Sequence, residues 1–234
     1  MDARAGRKRL RPEFMRVGVN GQSPGSAYCE LGRTKVVATV YGPRENARAE
    51  GEAVSSGVME VYVQYAPFSS KSRCGALPGV LMEAERRLEA SLHQALLPSV
   101  MLERFPKSVV EVHVLVLEED GGELAVGATA ASAALVDAGV DVLDVVVAAQ
   151  VGLAGGGAQA IVDPCAAEEA QCTGLCTIAY MPNLERVTLA SHSGAVDAPD
   201  LLAGLTTALD ACLALRGALR PTLLASAAPP LLLY

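Results

Sequence analysis

The sequence predicts a single α+β domain of mixed sheets with packed helices. Three observations carry that reading. The elements run three strands, helix, strand, helix, four strands, helix, and the helices are too few and too irregularly spaced for a doubly wound βαβ repeat. The 234 residues are 51% hydrophobic, enough to bury one sizeable core. No internal repeat and no long linker divides the chain.

The elements follow in order. Residues 26–31 read as a strand, Gly32 and Arg33 as a turn, and 34–41 as a second strand, supported by the β-branched run from Thr34 to Val40. Gly42-Pro43 is expected to end it. The polar, acidic stretch 46–56 reads as a loop. Residues 58–65 alternate Val58, Glu60, Tyr62, Gln64 against Met59, Val61, Val63, Tyr65, which predicts a third strand. A loop over 68–79 leads to a helix over 81–101, with Leu81, Leu88, Leu92, Ala95 and Leu96 on one face. Residues 109–117 read as a strand of low polarity. The helix over 123–138 is built of Ala, Val, Leu and Gly, so it must pack closely on several sides, and Gly139 is its natural stop. Strands are expected over 144–152 and 158–163, joined by Gly155-Gly156-Gly157. Residues 175–181 and 185–191 form a hairpin around Pro182-Asn183. A last helix starts at Asp197 and runs to about Arg216. The boundaries are a basic N-terminal tail over 1–12, the domain over 13–220, and a C-terminal tail over 221–234.

Composition excludes several functions. The first twenty residues hold no apolar stretch, so no secretory signal is expected. Mean hydropathy is +0.30, yet no apolar run approaches a membrane span, so no membrane association is expected. Six cysteines in a chain of this length read as reduced thiols rather than a disulfide scaffold. A net charge of −7 argues against a broad basic face that coats nucleic acid. Trp is absent and Phe occurs three times, too few aromatics for binding by base stacking. Arg4, Arg7, Lys8, Arg9 and Arg11 nevertheless crowd the first eleven residues. They are read as a solubilising tail or, alternatively, as an arm that touches a polyanion or an acidic partner.

Candidate chemistry is sparse. Cys172 and Cys176 have a CxxxC spacing, but no second pair or nearby His completes a metal site, so no metal and no cofactor is expected. His93, His113 and His192 stand alone. The one place shaped for a phosphate is the passage from strand 109–117 through Asp120-Gly121-Gly122 into a helix N-terminus. Glu118, Glu119, Asp120 and Glu123 surround it, and no cation is offered locally. These acids are better read as capping the helix themselves.

Several blocks together carry a resemblance. They are Leu10-Arg11-Pro12; the run from Gly25 to Val36; Tyr41-Gly42-Pro43-Arg44; Ala66-Pro67-Phe68-Ser69; the run from Glu103 to Ser108; Glu119-Asp120-Gly121-Gly122; Thr129-Ala130-Ala131-Ser132; Asp137-Ala138-Gly139-Val140; and Met181-Pro182. In this order they resemble the RNase PH-like family over nearly the whole chain. The resemblance implies the RNase PH fold (ribosomal protein S5 domain 2-like), with two βαβ-like halves in one domain. It also implies assembly into six-membered rings, alone or in the RNA exosome, where active members cleave RNA from the 3′ end by phosphorolysis. The opening block and the run from Leu117 to Gly122 are most similar to a eukaryotic ring subunit that is not catalytic.

The departures from the active pattern bear on function. Active members carry Thr-Arg or Ser-Arg after the glycine turn, and the Arg grips phosphate. The matching positions here are Glu123 and Leu124. An Asp expected before the Met-Pro block falls on Leu175, while an earlier acidic position survives as Glu169. Loss of an Arg–phosphate contact removes roughly 1.5–3 kcal/mol, and a lost electrostatic stabiliser costs ~10²–10³ in rate. Where active members carry several arginines before the first helix, this chain offers Lys71 and Arg73. These either brush RNA or are solvated loop charges.

The sequence therefore points to a non-catalytic, structural ring subunit with no catalytic residues of its own, supporting 3′-to-5′ RNA processing and degradation. The expected partners are other RNase PH-like exosome ring subunits, an S1/KH-type cap subunit, and RNA in the central channel. Nuclear, nucleolar and cytoplasmic residence is expected. The alternatives are an active phosphate-dependent exoribonuclease whose site a partner completes, and a family member that binds another ligand.

Overall fold

The computed structural model describes residues 10–45, 56–69, 78–154 and 160–227. Strand β1 (Glu13–Val17) pairs antiparallel with β2 (Gly25–Leu31), and β2 with β3 (Thr34–Glu45). β3 pairs antiparallel with β5 (Ser108–Glu118), which pairs parallel with β4 (Val58–Tyr65) at the far edge. The crossover from β4 to β5 runs through α1 (Pro78–Leu96), as a parallel pair requires. The second sheet is antiparallel, in the order β7 (Ile161–Val162), β6 (Val147–Leu153), β8 (Gly174–Met181) and β9 (Arg186–Gly194).

Helix α2 (Glu123–Asp137) lies between the sheets, touching β2, β3, β5, β6 and β8. Every residue from Ala125 to Leu135 is buried, which explains the small side chains on all of its faces. Two hydroxyls in it have partners across the layer. Thr129 Oγ1 accepts the Ala148 N–H at 3.2 Å, and Ser132 Oγ accepts the Val146 N–H at 2.8 Å. The helix ends in a left-handed Gly139, with the Val140 N–H on Leu135 O and the Gly139 N–H on Val136 O. Helix α4 (Ala198–Ala227) covers β6 and β8 through Ala208, Ala211, Cys212, Leu215 and Leu219. One continuous hydrophobic core spans both sheets. The α+β class with mixed sheets thus stands.

Several boundaries move. β3 does not stop at Gly42-Pro43; it continues to Glu45 after a register shift between Tyr41 and Arg44. α1 ends at Leu96 rather than near Met101, because Pro98 lacks the N–H the helix needs and the chain turns into a 3₁₀ segment (Leu97–Ser99). The strand expected over 158–163 is only Ile161–Val162 among the described residues, and the Gly155 to Gly157 turn lies outside them. Cys172 is not on a strand with Cys176, since β8 begins at Gly174. β1 and the short α3 (Ala166–Glu169) have no counterpart in the expected order. α4 runs past Arg216 and through Pro221 to Ala227, so the tail boundary at residue 221 fails. Its Ala198–Ser226 stretch is long and apolar enough to cross a membrane by length and composition, which corrects the expectation that no such stretch exists. Packing of one face on β6 and β8 accounts for part of that apolar content.

Candidate functional site

The turn from β5 into α2 is the only phosphate-shaped motif the sequence offers, and the structure shows how it is filled. Gly121 and Gly122 both have left-handed φ, 86° and 73°, which turns backbone N–H groups toward the start of α2. A helix N-terminus with free donors attracts an anion. The anion here comes from the chain itself. Glu169, at the end of α3, brings Oε1 to 3.1 Å from the Gly122 nitrogen and accepts its N–H. The same oxygen accepts the Gln150 side-chain amide at 2.8 Å. A side chain at Gly121 would meet Glu169 Oε1 at 2.7 Å, so the glycine is what admits the carboxylate.

Glu123 adds a second carboxylate. The nearby backbone N–H groups of Glu123 and Gly121 favour its charged form. Burial, then the neighbouring Glu119 charge, pushes its carboxyl up to about 7. Burial also raises Glu169, against the pull of the Gly122 N–H and the Gln150 amide. The reading that acids cap this helix is right in kind but not in membership. The distant Glu169 does the capping, Glu123 stands in the first turn, and Glu118 pairs with Lys35 at 2.9 Å.

A cation does reach the turn, contrary to the expectation of none. Arg11 forms a buried fork on Asp163, with Nε to Oδ2 and Nη2 to Oδ1 both at 2.6 Å. It also donates to Asp120 O at 2.8 Å and Gly121 O at 3.0 Å. Thr34 Oγ1 donates to Gly121 O at 2.7 Å. Arg11 thus joins the first strands, the turn and the second sheet, and is not part of a solvated basic tail over 1–12. Its donors face Asp163 and backbone carbonyls.

Leu124 lines a shallow cleft of about 430 Å³ with Glu123, Tyr65, Leu88 and Arg87, and Arg87 is paired with Glu83. Leu175 sits on β8 between Gly152 and Ser193. Lys71 and Arg73 lie outside the described residues, as do Arg4, Arg7, Lys8 and Arg9. Among the described residues no group of three or more His, Cys, Asp or Glu side chains could hold a metal ion. Sequence reasoning missed Arg11, Gln150 and Asp163. The one available signal was Arg11 within the Leu10-Arg11-Pro12 block.

Comparison with known proteins matches the chain to two models of the 3′ exoribonuclease family, domain 1 over residues 9–141 and domain 2 over residues 144–211. The chain is 39% identical over 198 residues to exosome complex component MTR3 of Homo sapiens, covering 80% of this chain and 72% of that protein. It is 38% identical over 203 residues to exosome complex component Rrp41 of Pyrobaculum neutrophilum, covering 86% and 80%. Among solved structures, rice (Oryza sativa) Rrp46 superposes with a TM-score of 0.80 at 26% identity, over 93% of this chain and 97% of that one. A chain of the Archaeoglobus fulgidus exosome with RNA bound to the active site shares the fold, with a TM-score of 0.76 at 23% identity over 91% and 89%.

Proposed function

Because this chain belongs to the 3′ exoribonuclease family, we propose that it is a non-catalytic subunit of an RNase PH-type exosome ring. One observation carries the reading. The anion-binding turn at the head of α2 is occupied by the protein's own Glu169 carboxylate, the Glu123 carboxyl stands in the first turn beside it, and the buried Arg11 at the turn is spent on Asp163. Phosphate would have to displace a hydrogen-bonded carboxylate and approach a second one. Leu124, where the active pattern carries its phosphate-gripping Arg, offers nothing in return. Phosphorolysis needs a phosphate bound beside the RNA 3′ end, so this chain contributes surface rather than chemistry. The 39% identity to a protein named as an exosome component supports the same reading.

On this reading the partners are neighbouring RNase PH-like subunits and an S1/KH-type cap subunit, and RNA passes through the ring. Lys71 and Arg73 contact that RNA. Residence is nuclear, nucleolar and cytoplasmic, which imaging of a tagged copy tests. The main experiment is reconstitution with the other ring subunits, followed by RNA degradation with inorganic phosphate and detection of nucleoside diphosphates. Stable incorporation with no phosphate-dependent product attributable to this chain is expected. Product that disappears on Glu169→Ala in this chain would instead establish a composite active site.

A further inference from the structure

We propose that the cavity between α4 and the β8–β9 turn binds an acidic segment of another polypeptide that carries a bulky apolar side chain. The cavity measures about 290 Å³ and lies away from the β5–α2 turn. Val145, Val147, Leu219 and Leu223 line it with aliphatic surface. Arg216 and Arg220 stand one helical turn apart on α4 and both face the cavity.

The two guanidinium charges there exceed the single carboxylate that faces them. Asp144 is the only carboxylate in the lining, it is 6% exposed, and its oxygens are already engaged. They accept the Val145 N–H at 2.8 Å, the Asn183 N–H at 2.7 Å, the Asn183 side-chain amide at 2.7 Å and the Leu184 N–H at 3.2 Å. Arg216 donates to Asn183 Oδ1, which uses one of its five N–H groups. Arg220 is exposed and makes no ion pair among the described residues. Two guanidiniums therefore edge an apolar cavity in a chain of net charge −7. Leu224, 61% exposed, extends the apolar surface at the rim.

Charge complementarity selects carboxylates, and the aliphatic lining selects a leucine-like or aromatic side chain beside them. Arginine next to desolvated apolar surface is the composition of protein-binding hot spots. RNA fits less well, because no aromatic side chain lines the cavity to stack a base. The inference concerns a different place from the β5–α2 turn and does not rest on the ring-subunit reading.

The test uses the full chain, a fluorescein-labelled peptide alternating Glu with Leu, a counterpart with Lys for Glu, and oligouridylate. The acidic peptide is expected to raise anisotropy saturably and the basic one is not. Arg220→Glu is expected to weaken binding about tenfold, and Leu224→Ser about threefold. Both side chains are exposed, so the melting temperature should not move. No saturable binding, equal binding of the basic peptide, or indifference to Arg220→Glu would overturn the proposal. Displacement of the peptide by oligouridylate at comparable concentration would overturn it in favour of RNA.

Discussion

Replacing Arg11 with Met should unfold this protein far more readily than loss of any surface arginine. The Arg11 and Asp163 side chains are 4% and 3% exposed, and two hydrogen bonds of 2.6 Å join them. Methionine fills similar volume but takes from the buried Asp163 carboxylate the guanidinium that forks onto both of its oxygens. It also removes donors from the Asp120 and Gly121 carbonyls. Breaking a buried pair on one side costs about 3–5 kcal/mol. In a chain of this size that corresponds to a fall in melting temperature of roughly 6–20 °C. Arg11→Lys should recover little, since an ammonium cannot form the fork. The double variant Arg11→Met/Asp163→Asn should recover a large share, because the buried negative charge that the guanidinium offset is gone. Asn is chosen because residue 163 has φ 50°, a conformation Asn tolerates. Thermal unfolding by circular dichroism with urea titration reads all three. A loss below about 1 kcal/mol for Arg11→Met, the worth of a solvated ion pair, would refute the reasoning.

Other expectations follow from single positions. Glu123 has its carboxyl raised to about 7. The folded state therefore holds that proton more tightly than the unfolded chain, and the stability this contributes is complete below the ordinary carboxylate range and lost as pH rises through about 7. Glu123→Gln should remove that part of the slope, worth about 1–3 kcal/mol once partial solvent screening is allowed for; chemical denaturation at pH 5 and pH 8 measures it. Gly25→Ala would drive a methyl group into the Ala138 nitrogen and the Ala134 oxygen at the end of α2, so a loss of about 3 kcal/mol or more is expected in thermal melts. Asp144→Ala strands four N–H donors around the Asn183 turn and should cost about 2–3 kcal/mol, with hydrogen exchange rising first at Asn183 and Leu184.

What could be read from the sequence follows the range of the forces involved. The alternation of 58–65 and the β-branched run from Thr34 to Val40 predicted β4 and β3 because period and propensity act locally. The Ala-, Val-, Leu- and Gly-rich composition of α2 announced burial on several sides. β1 escaped notice because its five residues are exposed or half-buried and show no clean alternation. The last helix is expected to end near Arg216, yet α4 continues through Pro221 to Ala227. The site was harder still. The turn at Asp120-Gly121-Gly122 was visible as a motif, but its occupants come from afar. Glu169 lies 47 residues from Gly122, and Arg11 lies 152 residues from Asp163. Arg11 also sits among other basic residues, where composition makes it look like part of a tail. Periodicity cannot report such a pairing; only the fold brings the groups together.

The central claim is that the chain's own carboxylate fills its phosphate-shaped turn. Titrating the full, ¹⁵N-labelled chain with inorganic phosphate and following the Gly122 amide tests it most directly. The account predicts a Gly122 signal that does not move in the wild type and stays protected from exchange, because Glu169 holds that N–H. A saturable shift at Gly122 in the wild type would contradict it, since the turn would then be open to phosphate.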